Sequence, residues 1–211
     1  MDRLLGNNSN KQLEEVISPV LNRLLKPIHD LQIDPKLTYC QNHLWLQQVD
    51  ESVWRLGIDS FVASIFCQIT EIILPTFGSS KPGDTQCFWL VHVDGMVMIS
   101  LPMDAKNLVA NESVRKSPNL VLADPCGEGW LLQGELDMGN NSRYIIPPDK
   151  VDDWWRYEID WLEGLIRSNL VRRMEHHVGE TLADGGYFIN DISTALGPTA
   201  HRDLLQQVLK L

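Results

Sequence analysis

Leu90-Val-His-Val-Asp-Gly-Met-Val-Met-Ile-Ser-Leu-Pro102 sets an apolar run on either side of an Asp-Gly pair, and this stretch decides the fold class. Short runs of β-branched and large apolar residues split by such a dipeptide read as a β-hairpin. Asp94-Gly95 suits a two-residue type I′ turn, in which both central residues take positive φ. The flanks Val91, Val93, Met96, Val97, Met98 and Ile99 are more apolar than an exposed tip needs, so they are expected to pack across the strands, with Met96 and Met98 filling core.

Working outward, the same texture extends from Leu37 to about Leu136. HLWLQQV, VWRLGI, TEIILP, CFWLVHV and MVMISLP are separated by turn-forming clusters, as in a small β-sandwich or barrel, with one short helix near Ser60 to Phe66. Before it, Leu13, Val16, Ile17, Val20, Leu21, Leu24, Leu25 and Ile28 recur at helical spacing. Pro19 and Pro27 interrupt that pattern, which predicts two short helices or a kink, because proline removes an amide donor and clashes with the preceding turn.

After the linker-like Met138-Gly-Asn-Asn-Ser142, a strong helix is expected to start behind Pro147-Pro148 with Asp149 as N-cap. It is expected to end before Gly179, with Arg172, Arg173, His176 and His177 in its last turn. Val151, Trp155, Ile159, Leu162, Ile166 and Leu170 form its apolar stripe, widened by Trp154, Tyr157, Trp161 and Leu165. A turn at Asp184-Gly185-Gly186 precedes a last helix over 198–211. These readings divide the chain into an N-terminal helical extension at 1–36, a β domain at 37–137 and a C-terminal helical extension at 144–211.

The 211 residues are 44% hydrophobic and 22% charged, ordinary globular composition. A formal net charge of −10 argues against nucleic acid and anionic lipid as partners, since both are bound mainly through clustered lysine and arginine. No run is long enough to span a membrane and the N-terminus has no secretory pattern, so a cytoplasmic protein is expected. Without that signal, the glycosylation-like triplets at Asn7, Asn111 and Asn140 carry no weight. Cys40, Cys67, Cys87 and Cys126 are too widely spaced for a zinc motif and read as free, mostly buried thiols.

Three stretches then point to a family. The first joins His43-Leu-Trp45 to Leu56-Gly-Ile-Asp-Ser-Phe61 and Ile72-Ile-Leu-Pro75, and the second is Gly78-Ser-Ser-Lys-Pro-Gly-Asp84. The third, and most specific, runs from Asn111-Glu112 through Ser117-Pro-Asn-Leu-Val121 to Asp124-Pro-Cys-Gly-Glu-Gly-Trp-Leu131. In order and spacing they resemble the glycine cleavage system H protein, a relative of lipoyl and biotinyl carrier domains, from about His43 to Gln133. The resemblance implies an α+β chain built on a barrel-sandwich hybrid of two small sheets, here with helical extensions at both ends. It also implies a hairpin lysine that carries lipoate between partner enzymes. Counting from Pro75 forward or from Asp124 backward puts that lysine at Asp94, and no lysine lies between Lys81 and Lys106.

Lipoate is held as an amide of a lysine ε-amine, a bond that a carboxylate cannot form, so no lipoate cofactor is expected at the family position. Lys81 is a weak alternative, and Lys106 and Lys116 are weaker ones. His92 beside Asp94 lacks a third group that would make an acid–base site. Neighbouring histidines such as His176 and His177 point about 100° apart on a helix, so no metal site and no catalytic residue is expected. The aromatic face of Trp154, Trp155 and Trp161 is the candidate interaction surface, with packing on the β domain or in a dimer as its first explanation. The functional expectation is a non-lipoylated H-protein-like assembly module within a multi-enzyme complex or homo-oligomer, and not an enzyme. The alternative is a carrier or accessory protein of glycine cleavage or lipoate metabolism that uses another lysine or a lipoylated partner.

Overall fold

The computed structural model describes residues 2–73, 86–137, 142–176 and 189–210. The turn at 78–84 with Lys81, the linker at 138–141, Gly179 and the turn at 184–186 lie outside them. The first element, α1 (Asp2–His29), runs through both Pro19 and Pro27 as one helix, so of the two expected outcomes, two short helices or a kink, the division into two does not occur. A proline inside a helix costs about 3 kcal/mol. Ile17, Leu21, Leu24, Leu25 and Ile28 are all buried, and each such side chain contributes about 1.5–3 kcal/mol, so docking outweighs the two breaks.

Strands β1 (Thr38–Tyr39), β2 (Leu44–Gln48), β3 (Val53–Ile58), β8 (Leu132–Leu136) and β7 (Ala105–Ala110) form an antiparallel sheet in the order β1-β2-β3-β8-β7. Strands β4 (Ile69–Ile73), β5 (Cys87–His92) and β6 (Gly95–Ser100) form a second antiparallel sheet. Helix α2 (Ser60–Ile65) follows β3, and the short α3 (Glu112–Lys116) and α4 (Leu120–Ala123) link β7 to β8. The mixed fold of two small sheets with helical extensions is thus the expected α+β architecture.

The residues that carry the resemblance build turns. Asn111 caps α3 through the Ser113 amide, while its Nδ2 donates to the carbonyls of Glu128 and Trp130 at 2.8 Å. The Asp124 carboxylate accepts from the Glu128 amide, and its carbonyl accepts from Gly127 and Gly129. A Cβ on Gly129 would stand 2.5 Å from that carbonyl oxygen, which is why glycine is required there. Trp45 Nε1 donates to the Pro125 carbonyl at 2.9 Å and its indole lies over Gly57, where a Cβ would come within 2.8 Å of the ring.

Helix α5 (Val151–His176) buries the whole predicted stripe, with Leu162 and Ile166 fully inaccessible. Asp149 is not its N-cap but part of the 3₁₀ turn Pro148–Lys150 that leads into it. The helix packs on α1, where Arg167 grips both carboxylate oxygens of Glu14 at 2.7 and 2.8 Å. Helix α6 (Ile192–Leu196) is capped by Asp191 and tied to α5 by Arg173, which donates to the carbonyls of Thr194 and Ala195. Gly197, at φ +82°, turns the chain into α7 (Pro198–Val208), whose first helical position is the proline. Among the described residues no helix is long and apolar enough to cross a membrane.

Candidate functional site: the hairpin tip and its cover

Strand period places Phe88, Leu90 and His92 of β5 on the buried face, opposite Val97 and Ile99 of β6. The other face stays open: Val93, Met96 and Met98 are about half exposed, so these methionines are not core filler and only one face of the hairpin packs inward. The turn differs as well. His92 pairs with Gly95, leaving Val93 and Asp94 as the two loop residues, and neither has positive φ, so the expected type I′ turn does not form. Gly95 instead takes φ +141° where Arg202 of α7 passes, its Cδ 3.3 Å from where a Cβ would stand.

Helices α6 and α7 cover the tip. Asp94 Oδ2 accepts from Ser193 Oγ and faces His201 Nδ1, each at 2.6 Å, while the other ring nitrogen of His201 donates to the Ile65 carbonyl at 2.9 Å. His201 is completely buried. Its imidazole therefore bridges hairpin, α2 and α7. Burial pushes the Asp94 carboxyl up, but the bonds from Ser193 and His201 outweigh it and hold the group below its usual range. His92, also buried, accepts weakly from the Asp94 amide at 3.3 Å and stands edge-on to His201. Burial, aided by the charges of His201 and Arg202, pulls the His92 pKa down against the influence of Asp94.

His201 was not foreseen as the partner of Asp94, although the sequence carries a signal. With Leu204, Leu205 and Val208 it occupies the buried stripe of α7, and a polar residue on such a stripe needs a buried partner.

A second buried cluster sits at the start of α2, the helix whose last residue, Ile65, is held by His201. His43, at φ +58°, is sandwiched between Phe61 and Trp154, with both ring centroids at 4.7 Å. Its Nδ1 meets Asp59 Oδ2 at 2.7 Å, its Nε2 stands 3.7 Å from Glu158, and Asp59 Oδ1 caps α2 through the Val62 amide. Burial pulls the imidazole pKa down, but Asp59 and Glu158 more than reverse this and raise it to about 9. The folded state thus holds this proton more tightly than the unfolded chain, whose reference value is 6.5. His43 contributes stability that is fully present below pH 6.5 and is lost as the pH rises through about 9, a swing on the order of 3 kcal/mol. The neighbouring Cys40 thiol, pushed from 9.0 up to about 12 by burial, adds its own loss of stability only once the pH passes 9, where the unfolded thiol begins to ionise. Urea midpoints measured from about pH 6 to about pH 8.5, below the range in which unfolded thiols ionise, should fall and should level out in His43→Gln; a flat wild-type profile would contradict the assignment.

The predicted aromatic face is used largely inside the molecule. Trp155 is buried against Tyr39 and Phe61, Trp154 stacks on His43, and Trp161 is half-buried. Tyr157 is the aromatic residue of α5 that faces solvent. Lys106 and Lys116 are exposed. Of the four thiols only Cys40 is buried, Cys87 and Cys126 are intermediate, and Cys67 is exposed, fewer buried than expected. The cleft lined by Gln41, His43, Glu158, Trp161, Gln207 and Lys210 has a volume of about 200 Å³, below the roughly 300–1,000 Å³ usual for small-molecule sites.

Residues 37–146 match the family described as glycine cleavage H-protein. The chain is 25% identical over 122 residues to the glycine cleavage system H protein of Alkalilimnicola ehrlichii, covering 58% of this chain and 94% of that one. It is 27% identical over 106 residues to the corresponding protein of a Mycobacterium species (strain KMS), covering 50% and 81%. The crystal structure of a glycine cleavage system H protein from Mycobacterium marinum superposes with a TM-score of 0.48 at 17% identity, covering 60% of this chain and 98% of that one.

The match corrects the expectation that no cofactor is involved, because proteins of the matched family carry lipoate on a lysine. The hairpin tip Val93-Asp94-Gly95 does not itself fit that group, since its carboxylate cannot form the amide and is already engaged by His201 and Ser193. The family is one of carriers and not of catalysts, in keeping with the absence of an enzyme reading. With just over half its length matched, across the sheets and turns described above, the chain belongs to the glycine cleavage H-protein family.

Proposed function

We propose that this protein is a cytoplasmic recognition and assembly module for other components of the glycine cleavage system. In this reading residues 37–137 present the inherited surface, and the extensions at 1–36 and 144–211 brace it. The observation that carries the proposal is the hairpin tip. By chain counting, Asp94 stands where relatives place the lipoyl-lysine, and its carboxylate is held at 2.6 Å by both His201 and Ser193. A swinging carrier arm needs a tip free to visit several partners. A tip fastened to its own C-terminal helices favours a role that depends on the shape of the domain.

The test replaces Lys81, Lys106 and Lys116 together by arginine in the full chain and measures binding to the purified glycine cleavage components of the same host. Binding to at least one component, with an affinity unchanged by the substitutions, is the expected result. Binding to none, or binding and complex activity lost with the lysines while peptide mapping finds a lipoyl group on one of them, would replace the proposal with the carrier reading.

A further inference from the structure

His92, Asp94 and His201 come from a strand, a turn and a helix, yet each offers one ligand atom, and the three atoms lie within 4.8 Å of one another. Both imidazoles are buried and Asp94 is half-buried. Two imidazole nitrogens and a carboxylate oxygen make the donor set that zinc takes from proteins when it keeps a fourth position open, and nitrogen donors disfavour calcium and magnesium. We propose that this cluster is a binding site for a divalent transition metal of the zinc class, which would fasten α7 to the hairpin.

Two features beyond the donor set support the assignment. A ligating histidine usually donates its second ring N–H to a carbonyl or carboxylate, which fixes the ring and its tautomer. His201 does this to the Ile65 carbonyl at 2.9 Å, so Nδ1 is the nitrogen presented to the cluster. Asp94 is steadied in the same way by Ser193 Oγ at 2.6 Å. His92 must ligate as the neutral ring, and burial favours that form. An ion would draw the three donors to a common spacing, closing any pair near the 4.8 Å limit by about 1.5 Å. Ligand atoms about 2.0–2.1 Å from a tetrahedral ion stand roughly 3.3 Å apart, so the 2.6 Å contact between Asp94 and His201 would open by less than 1 Å. The proposal stands on these donor atoms and not on the assembly role, so either can fail without the other.

The test uses the full chain, stripped with a chelator and then titrated with Zn²⁺ by calorimetry and with Co²⁺ by visible absorption. The expected result is one equivalent bound, with the absorption of four- or five-coordinate cobalt. His92→Gln and Asp94→Asn should each weaken binding at least 10-fold, whereas His176→Gln with His177→Gln should leave it unchanged. No stoichiometric binding by the wild-type protein would overturn the proposal. So would an affinity unchanged in both cluster variants, or one lost only in the paired-histidine variant. Two cluster variants guard against a folding defect in one of them, and circular dichroism before titration identifies it.

Discussion

Asp59→Ala is expected to destabilise the protein by about 3–5 kcal/mol, the usual cost of leaving a buried charge without its partner. The residue that suffers is His43, fully buried between two aromatic rings, with its Nδ1 2.7 Å from the Asp59 carboxylate. The same substitution removes the N-cap of α2, worth about 1 kcal/mol more. Set against the roughly 5–15 kcal/mol that holds most domains together, this is a large fraction. Urea unfolding near pH 6, where His43 is charged in the folded state, is the appropriate measurement. Adding His43→Gln to Asp59→Ala should recover part of the loss, because the uncompensated charge disappears with the imidazole. A loss below about 1 kcal/mol would show that the pair is incidental to the fold.

His201→Ala is expected to cost a similar amount, about 3–5 kcal/mol, but in a different place. The substitution deletes a completely buried ring, the 2.6 Å contact to Asp94 and the 2.9 Å bond to the Ile65 carbonyl. Its effect should be local, since α7 meets the rest of the molecule mainly through β6, α2 and α6. Hydrogen exchange read peptide by peptide separates the cases. Amides of α6 and α7 should lose protection while those of β2, β3 and β8 keep theirs. Uniform loss across both sheets would mean that the C-terminal helices are integral to the core and not a cover over it.

The strands and the long C-terminal helix were legible because their signals are local. Alternation in CFWLVH and the stripe from Val151 to Leu170 are repeated many times over, and no single contact has to be known to read them. The short helix after Asp59 was legible for the same reason. What escaped was long-range. Nothing near Asp94 announces a partner 107 positions away, and Asp-Gly chemistry alone carries no sign of the helix that passes over the turn. The prolines of α1 do not divide the helix: their local penalty is real, and tertiary burial on α5 keeps the segment helical. Among the candidate site residues, Asp94 was identified and its surroundings were not. The face of Trp154, Trp155 and Trp161 was identified, and its main occupant is the protein itself.

The two prolines of α1 have a consequence for how the chain is made. A helix that lacks two of its amide donors is a poor helix in isolation, so α1 depends on the surface it docks against. Much of that surface belongs to α5, which begins at Val151, whereas α1 ends at His29. On the ribosome the early segment must therefore wait, its apolar stripe uncovered, through the synthesis of the entire β domain. Chains interrupted during that interval would expose Ile17, Leu21 and Leu25 to chaperones and proteases, and the Arg167 grip on Glu14 would be among the last contacts to close.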